Sequence, residues 1–232
     1  TAVVTASDQI YSGSAKTPTP TVTLNGERIP SSGYDVTYSN NTNAGTATIT
    51  VTGKNDYTGT ATGTFTIAKA TPTYTAPAAR TNLTYSGSSQ YMTTSGSTSH
   101  GTIQYSADGT TWSTTRVTNT TAGTYTTYWR LVGDSNHTDV SATSITTTIN
   151  KASRTISFDS SYYVQNTSTT TTRTATPSAG SSDGAITYSI SSTTYATINS
   201  STGAVTSKTS DGSTTVYATI AEGTNYLSAS TS

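Results

Sequence analysis

"NAGTATITVTGKNDYTGTATGTFTIAKA", residues 43–70, sets Ala47, Ile49 and Val51 at every second position, and then Phe65 and Ile67 after a short polar loop. Within each run the residues that separate them, Thr48, Thr50 and Thr66, are threonine. Successive side chains of a strand face opposite sides, so this alternation describes strands with one dry and one wet face. No stretch of the chain shows a convincing 3.6-residue period, and the spacing predicts an all-β protein. Threonine suits the wet face: its branched Cβ favours extended backbone while its hydroxyl stays hydrated.

The same text recurs. "TAGTYTTYWRLVG" (121–133) matches "NAGTATITVTG" (43–53) with two residues inserted. "YSGS" occurs at 11–14 and 85–88, and "GKNDYTG" (53–59) is answered by "GDSNHTD" (133–139) and more faintly by "EGTNYLS" (222–228). The first two copies run through a last strand into "IAKA" and "INKA". These repeats predict three units, 1–69, 70–151 and 152–232, each long enough for a small sandwich and too long for a solenoid coil.

Further strands follow from alternation. Val22, Leu24, Val36 and Tyr38 are expected to point inward in the first unit, and Ile103, Tyr105, Tyr125, Trp129 and Leu131 in the second. In the third the inward set is Ile156, Phe158, Ile186, Tyr188, Ile190, Ile198, Val205, Val216, Ala218 and Ile220. "LNGE" (24–27) predicts a tight Asn-Gly hairpin, "SADGTTW" (106–112) an Asp-Gly turn, and "INSSTGAV" (198–205) a hairpin leaving through Gly203. About seven short strands per unit, with turns every 8–12 residues, is the pattern of an immunoglobulin-like sandwich.

Composition narrows the function. Lys+Arg and Asp+Glu are 11 each, for a net charge of zero, and only 9% of residues are charged. Nucleic-acid binding demands clustered basic residues, so no nucleic-acid partner is expected. Apolar runs are a few residues long, far below the roughly 20 that span a bilayer, so no membrane insertion is expected. Without cysteine there are no disulfides and no thiolate chemistry. A disulfide-free secreted β-protein fits Gram-positive surfaces and virions. The chain opens on Thr1, which suggests a processed or excerpted piece.

The residues from "YSGSAKTPTPTVTLNGERIP" through "TFTIAKA" resemble bacterial Ig-like repeats found in tandem in large surface proteins. "LTYSGSSQYM" through "TTTINKA" is similar to a sister repeat, and "YATINSSTGAVTSKTSDGSTTVYATIAEGTNY" resembles the group-2 bacterial Ig-like domain. The resemblance covers nearly the whole chain. It implies three tandem Ig-like β-sandwich domains in an elongated array about 100 Å long, from modules of about 30 Å at about 3.3 Å per strand residue. It implies an extracellular, non-enzymatic spacer, stalk or fibre segment of a bacterial surface protein or adhesin. The alternatives are a virion structural protein of the same modules and a carbohydrate-binding module. In such domains "GTNY" leads into a final strand, which the third unit is expected to lack. A strand donated by a neighbouring chain is the alternative to simple truncation, with filaments or homo-oligomers as its result.

The chemistry-bearing residues are sparse. The two glutamates, Glu27 and Glu222, fall in different units, and no G-x-S-x-G elbow occurs. His137 sits in the turn "DSNHTD" and His100 follows "SGSTS"; in separate contexts, both are expected to face solvent. No catalytic residue, cofactor or metal site is expected. Asp108, Asp183 and Asp211 each precede glycine and read as hairpin turns before calcium ligands. Six Asn-x-Ser/Thr triplets occur, about what 12 asparagines and 42% Ser+Thr give by chance, so they carry no signal for glycosylation. The resemblance to Gram-positive surface domains brings in the Lys–Asn isopeptide, for which Lys16, Lys69 and Lys151 are candidates, each with a solvated charge as the simpler reading. Alternation exposes Tyr128 against Trp129, and one of Tyr162 and Tyr163, as candidate glycan or host-surface contacts. The other expected partners are neighbouring Ig-like domains of the same or another chain. Lys69 and Lys151 each fall at a unit boundary with almost no linker, which predicts restricted motion there.

Overall fold

The computed structural model describes residues 1–159 and 169–232. Tyr162 and Tyr163 lie outside them. The described residues hold strands and one turn of 3-10 helix, Ser31–Gly33, and no α-helix.

In the first repeat, β1 (Ala2–Thr5), β3 (Thr21–Leu24) and β4 (Glu27–Arg28) form one sheet. The other has the order β2 (Gln9–Ile10), β7 (Thr60–Ala68), β6 (Gly45–Gly53), β5 (Tyr34–Ser39). β2 runs parallel to β7, and β6 is antiparallel to both β7 and β5. Two facing sheets with the first strand split between them make an immunoglobulin-like sandwich. Val4 and Val22 from one sheet and Ala47, Ile49, Val51, Phe65 and Ile67 from the other are buried in one core. The alternation of 43–70 therefore reads correctly residue by residue. Leu24 does not follow it: it is 39% exposed, because it flanks the Asn25-Gly26 turn at the end of β3. Both turn residues have positive φ, 53° and 91°, as a two-residue hairpin requires.

The second repeat contributes β8 (Tyr74–Thr75), β9 (Leu83–Thr84), β10 (Gln90–Tyr91), β11 (Ser97–Thr98), β12 (Gly101–Ser106), β13 (Thr118–Asn119), β14 (Gly123–Gly133) and β15 (Val140–Asn150). The third contributes β16 (Ile156–Phe158), β17 (Thr170–Thr172), β18 (Ala175–Pro177), β19 (Ile186–Ile190), β20 (Ala196–Ile198), β21 (Ala204–Ser207), β22 (Val216–Ile220) and β23 (Ala229–Thr231). All three repeats are thus built from short paired strands, and the fold is an all-β immunoglobulin-like array.

Two compact units divide the chain. The first holds the first repeat with residues 70–78, 93–117 and 127–145. Within it β12 pairs with residues 128–133 of β14, and Tyr105, Trp129 and Leu131 form a second core with Ile103, Val117, Val140 and Ile145 against it. Thr93 Oγ1 in this unit is buried and, among the described residues, has no hydrogen-bond partner. Valine has the same shape without the hydroxyl's desolvation cost. Thr93→Val is expected to raise stability by about 1 kcal/mol, read as a higher midpoint in urea unfolding with an unchanged slope.

The second unit holds residues 79–92, 118–126 and 146–232. β9 runs parallel to the end of β15. In the third repeat β19, β22 and β23 form one sheet, and β17, β21 and β20 another. Ile156, Ala175, Tyr188, Ala218 and Ile220 are its core, with Phe158, Ile186, Ile198 and Ala229 against it. The "INSSTGAV" hairpin is present, with Gly203 at φ 72°. The final strand expected to be missing is there in short form: β23 pairs with β22 over Ala229, Ser230 and Thr231.

Candidate functional site

The lysine–alanine pairs at the repeat boundaries are where the structure concentrates specific contacts. At the first boundary Ala70 forms a parallel bridge with His137. Ala70 N–H donates to Asn136 O at 2.9 Å, and Thr138 N–H donates to Ala70 O at 2.9 Å. Asn136 Oδ1 accepts from Ala44 N–H at 2.9 Å. Lys69 Nζ donates to Asp134 O at 3.0 Å. Tyr11 meets the His137 ring edge-on, with centroids 5.4 Å apart. All of these residues lie in the first unit.

The second boundary repeats the arrangement inside the second unit. Ala152 bridges Tyr226, donating from N–H to Asn225 O at 2.8 Å and accepting from Leu227 N–H at 2.9 Å. Asn225 Oδ1 accepts from Ala122 N–H at 3.0 Å. Lys151 Nζ donates to Gly223 O at 2.6 Å, and Tyr85 meets Tyr226 edge-on at 5.3 Å. The "YSGS" tyrosines, the "AG" alanines, the "KA" pairs and the loop asparagines thus converge twice on one constellation.

The two lysines sit at the boundaries as expected, with Lys69 exposed, and each ammonium also binds a loop carbonyl, while Lys151 pairs with Glu222 as well. Lys16 lies elsewhere, its Nζ on Ser12 Oγ at 2.6 Å. None of the three ammonium groups is bonded to an asparagine side chain in these contacts. Tyr128 is half-buried, with its ring 3.6 Å from where a Cβ on Gly109 would stand, while Trp129 is buried.

The second boundary carries two devices absent from the sequence reading. Asp183 is not simply a turn residue. Its carboxylate accepts three successive N–H groups, from Thr224 at 2.6 Å, Asn225 at 2.7 Å and Tyr226 at 2.9 Å. The Asn225 N–H is the main cause holding its pKa below the ordinary carboxylate value, with Thr224, Tyr226 and the nearby Arg154 adding to it. Arg154 is buried and donates from Nε to Leu227 O, from Nη1 to Gly180 O and from Nη2 to Ala221 O. Asp108, by contrast, is the turn expected: Thr111 and Thr110 N–H groups and the Ser106 hydroxyl bond its carboxylate and hold its pKa far below normal.

Acid sensitivity follows from the three carboxylates held below their ordinary pKa, Asp108, Asp134 and Asp183. A carboxylate whose folded pKa is depressed contributes stability that is complete above the unfolded value of about 3.9 and is lost as pH falls through the folded value. Thermal midpoints are therefore expected to hold between pH 7 and 5 and to drop below pH 4. Asp183→Asn should lower the midpoint at pH 7 and remove its share of the acid limb, leaving the shares of Asp108 and Asp134; an unchanged limb would remove Asp183 as a contributor.

The histidines also depart from expectation. His137 is buried, not solvent-facing, and its ring lies 4.0 Å, centroid to centroid, from that of His100, which is half-buried. His137 Nδ1 lies 2.8 Å from Asp134 Oδ1. This hydrogen bond and the Asn136 N–H hold the Asp134 pKa below its ordinary value. The signal in the sequence was the repeat register, which sets His137 against the tyrosines of "NDY" and "TNY".

No family model matches the chain, and no curated protein matches it. Two solved structures align over 99% of it. One is protocadherin gamma B2 extracellular cadherin domains 3–6, at 12% identity and a TM-score of 0.32; the other is the protocadherin gammaB7 EC3–6 cis-dimer, at 14% identity and 0.30. The alignment covers 75% of each of those chains.

Proposed function

We propose that the chain is a spacer segment of an extracellular bacterial surface protein, made of three Ig-like modules, 1–69, 70–151 and 152–232, whose task is mechanical. The observation that carries this reading is the boundary joint built twice from equivalent residues. A free hinge needs no such constellation. Two main-chain hydrogen bonds, the asparagine cap and the lysine contact give each joint four, at about 1 kcal/mol each. Some 4 kcal/mol holds the open form to roughly one molecule in a thousand, since each 1.4 kcal/mol is tenfold. The partners are neighbouring Ig-like modules of the same or another chain.

Backbone 15N relaxation tests the joint. Residues either side of each boundary are expected to share one rotational correlation time, and Asn136→Ala or Asn225→Ala, which remove one of the four contacts at about 1 kcal/mol, to raise the open population about fivefold, read as faster amide exchange at Ala70 or Ala152. Independent tumbling in the unaltered protein would sink the spacer reading. Antibody labelling tests the location: staining of intact cells supports a surface protein, and staining confined to virions would move the chain to a phage structural protein of the same modules.

A further inference from the structure

We propose that His100, Asp134 and His137 form a binding site for one divalent transition-metal ion of the zinc, nickel or copper kind. The chain contains just two histidines in 232 residues. They are distant in sequence, yet their rings touch, and an aspartate carboxylate lies on one of them. One nitrogen or oxygen from each of the three residues lies within 4.8 Å of the others.

The repeats supply an internal comparison. In the first loop, Tyr57 lies over Gly33, where a Cβ would stand 2.8 Å from Tyr57 Cδ2. In the third, the register of β19 on β22 carries Gly223 opposite Asp183, whose carboxylate binds the N–H groups of the loop, Tyr226 included. In the middle copy a histidine replaces the tyrosine, His100 stands where the first copy has Gly33, and Asp134 stands where the other loops have Lys54 and Gly223. The first copy meets the structural task with tyrosine on glycine, and the middle copy differs from it at all three positions, each time toward a metal ligand.

The chemistry fits a borderline ion. Nδ1 of His137 and Oδ1 of Asp134 already lie 2.8 Å apart, so one ion can take both atoms by replacing the hydrogen between them, with the imidazole hydrogen carried on Nε2 instead. His100 brings a second imidazole, and a carboxylate oxygen of Asp134 brings the third ligand. Around a tetrahedral ion with bonds of about 2.0–2.1 Å, ligand atoms stand about 3.3 Å apart. The contraction needed is at most about 1.5 Å and falls on His100 and Asp134, whose side chains are not locked in the core. Two imidazole nitrogens select zinc, nickel or copper over calcium or magnesium, which take oxygen ligands. His137 is also bridged to Ala70, so the ion would fasten the first boundary and leave the second untouched.

The test is calorimetric titration of the full chain, stripped with EDTA, with zinc chloride and separately with nickel chloride. One ion per chain is expected. His137→Tyr puts in place the residue that the other two loops use, so it is expected to keep the native circular dichroism and lose at least about tenfold in affinity; His100→Gln is expected to do the same. Absence of binding by the unaltered chain up to about 1 mM metal would overturn the site, as would unchanged affinity in both variants. Should His137→Tyr fail to fold, His100→Gln decides alone.

Discussion

Arg154→Ala is expected to cost about 3–5 kcal/mol, the loss typical of breaking a buried charged network. Arg154 is 7% exposed and its guanidinium donates to three carbonyls, Leu227 O at 3.0 Å, Gly180 O at 2.8 Å and Ala221 O at 2.5 Å. Each is a hydrogen bond from a charged donor, worth about 1.5–3 kcal/mol, and truncation leaves the acceptors unpaired. Its guanidinium carbon also lies 5.5 Å from the Tyr226 ring centroid, so the alanine removes a packing partner from the loop that meets Ala152. Urea unfolding would register the loss as a lower midpoint. Amide exchange should quicken first at Ala152 and Leu227, whose N–H groups form the bridge. Arg154→Lys is expected to recover little, because one ammonium cannot reach three carbonyls held by a planar fork. Full stability in the lysine variant would show that charge, not geometry, holds the loop.

Gly133→Ala is expected to be nearly as damaging, at about 3 kcal/mol. Here the reason is close approach. A Cβ on Gly133 would stand 2.2 Å from His137 O and 2.6 Å from Thr138 O, both main-chain atoms that cannot rotate aside. The loop 133–139 must open to admit the methyl group. His137 and Thr138 then move from Ala70, and Asp134 O moves from Lys69. Hydrogen exchange at Ala70 and Thr138 measures this directly, with Ala152 in the same sample as the undisturbed reference. Equal protection at both boundaries in the variant would mean that the loop tolerates the side chain.

Much of the fold was legible because a strand reports on itself locally. Ile49, Val51, Phe65 and Ile67 are buried where period two puts them, and Asn25-Gly26 turns where that dipeptide should. Leu24 escaped because alternation assigns a face and cannot tell where a strand stops being covered. The boundary was half legible. The repeats located Lys69 and Lys151, but the groups that use them, Asp134 and Gly223, lie on loops far along the chain. Asp183 and Arg154 were illegible for a related reason. Their partners are main-chain groups at 224–227, 221 and 180, and a carbonyl or N–H has no sequence signature. The histidines failed differently. Read singly each looked like a surface residue; only the fold brings them together.

One property of the paired joints bears on how such a chain comes to exist. Most of the recognition runs through main-chain groups of Ala70 and Ala152, one asparagine amide and one alanine N–H. Main-chain atoms are the same in every protein, so the fit depends little on what fills either core. Any unit that ends in Lys-Ala can be seated on any unit whose loop presents the asparagine. Duplication or deletion of the middle unit, which carries both the asparagine and the Lys-Ala, would then preserve the junctions on either side, and chain length could change by whole units without a new interface having to evolve.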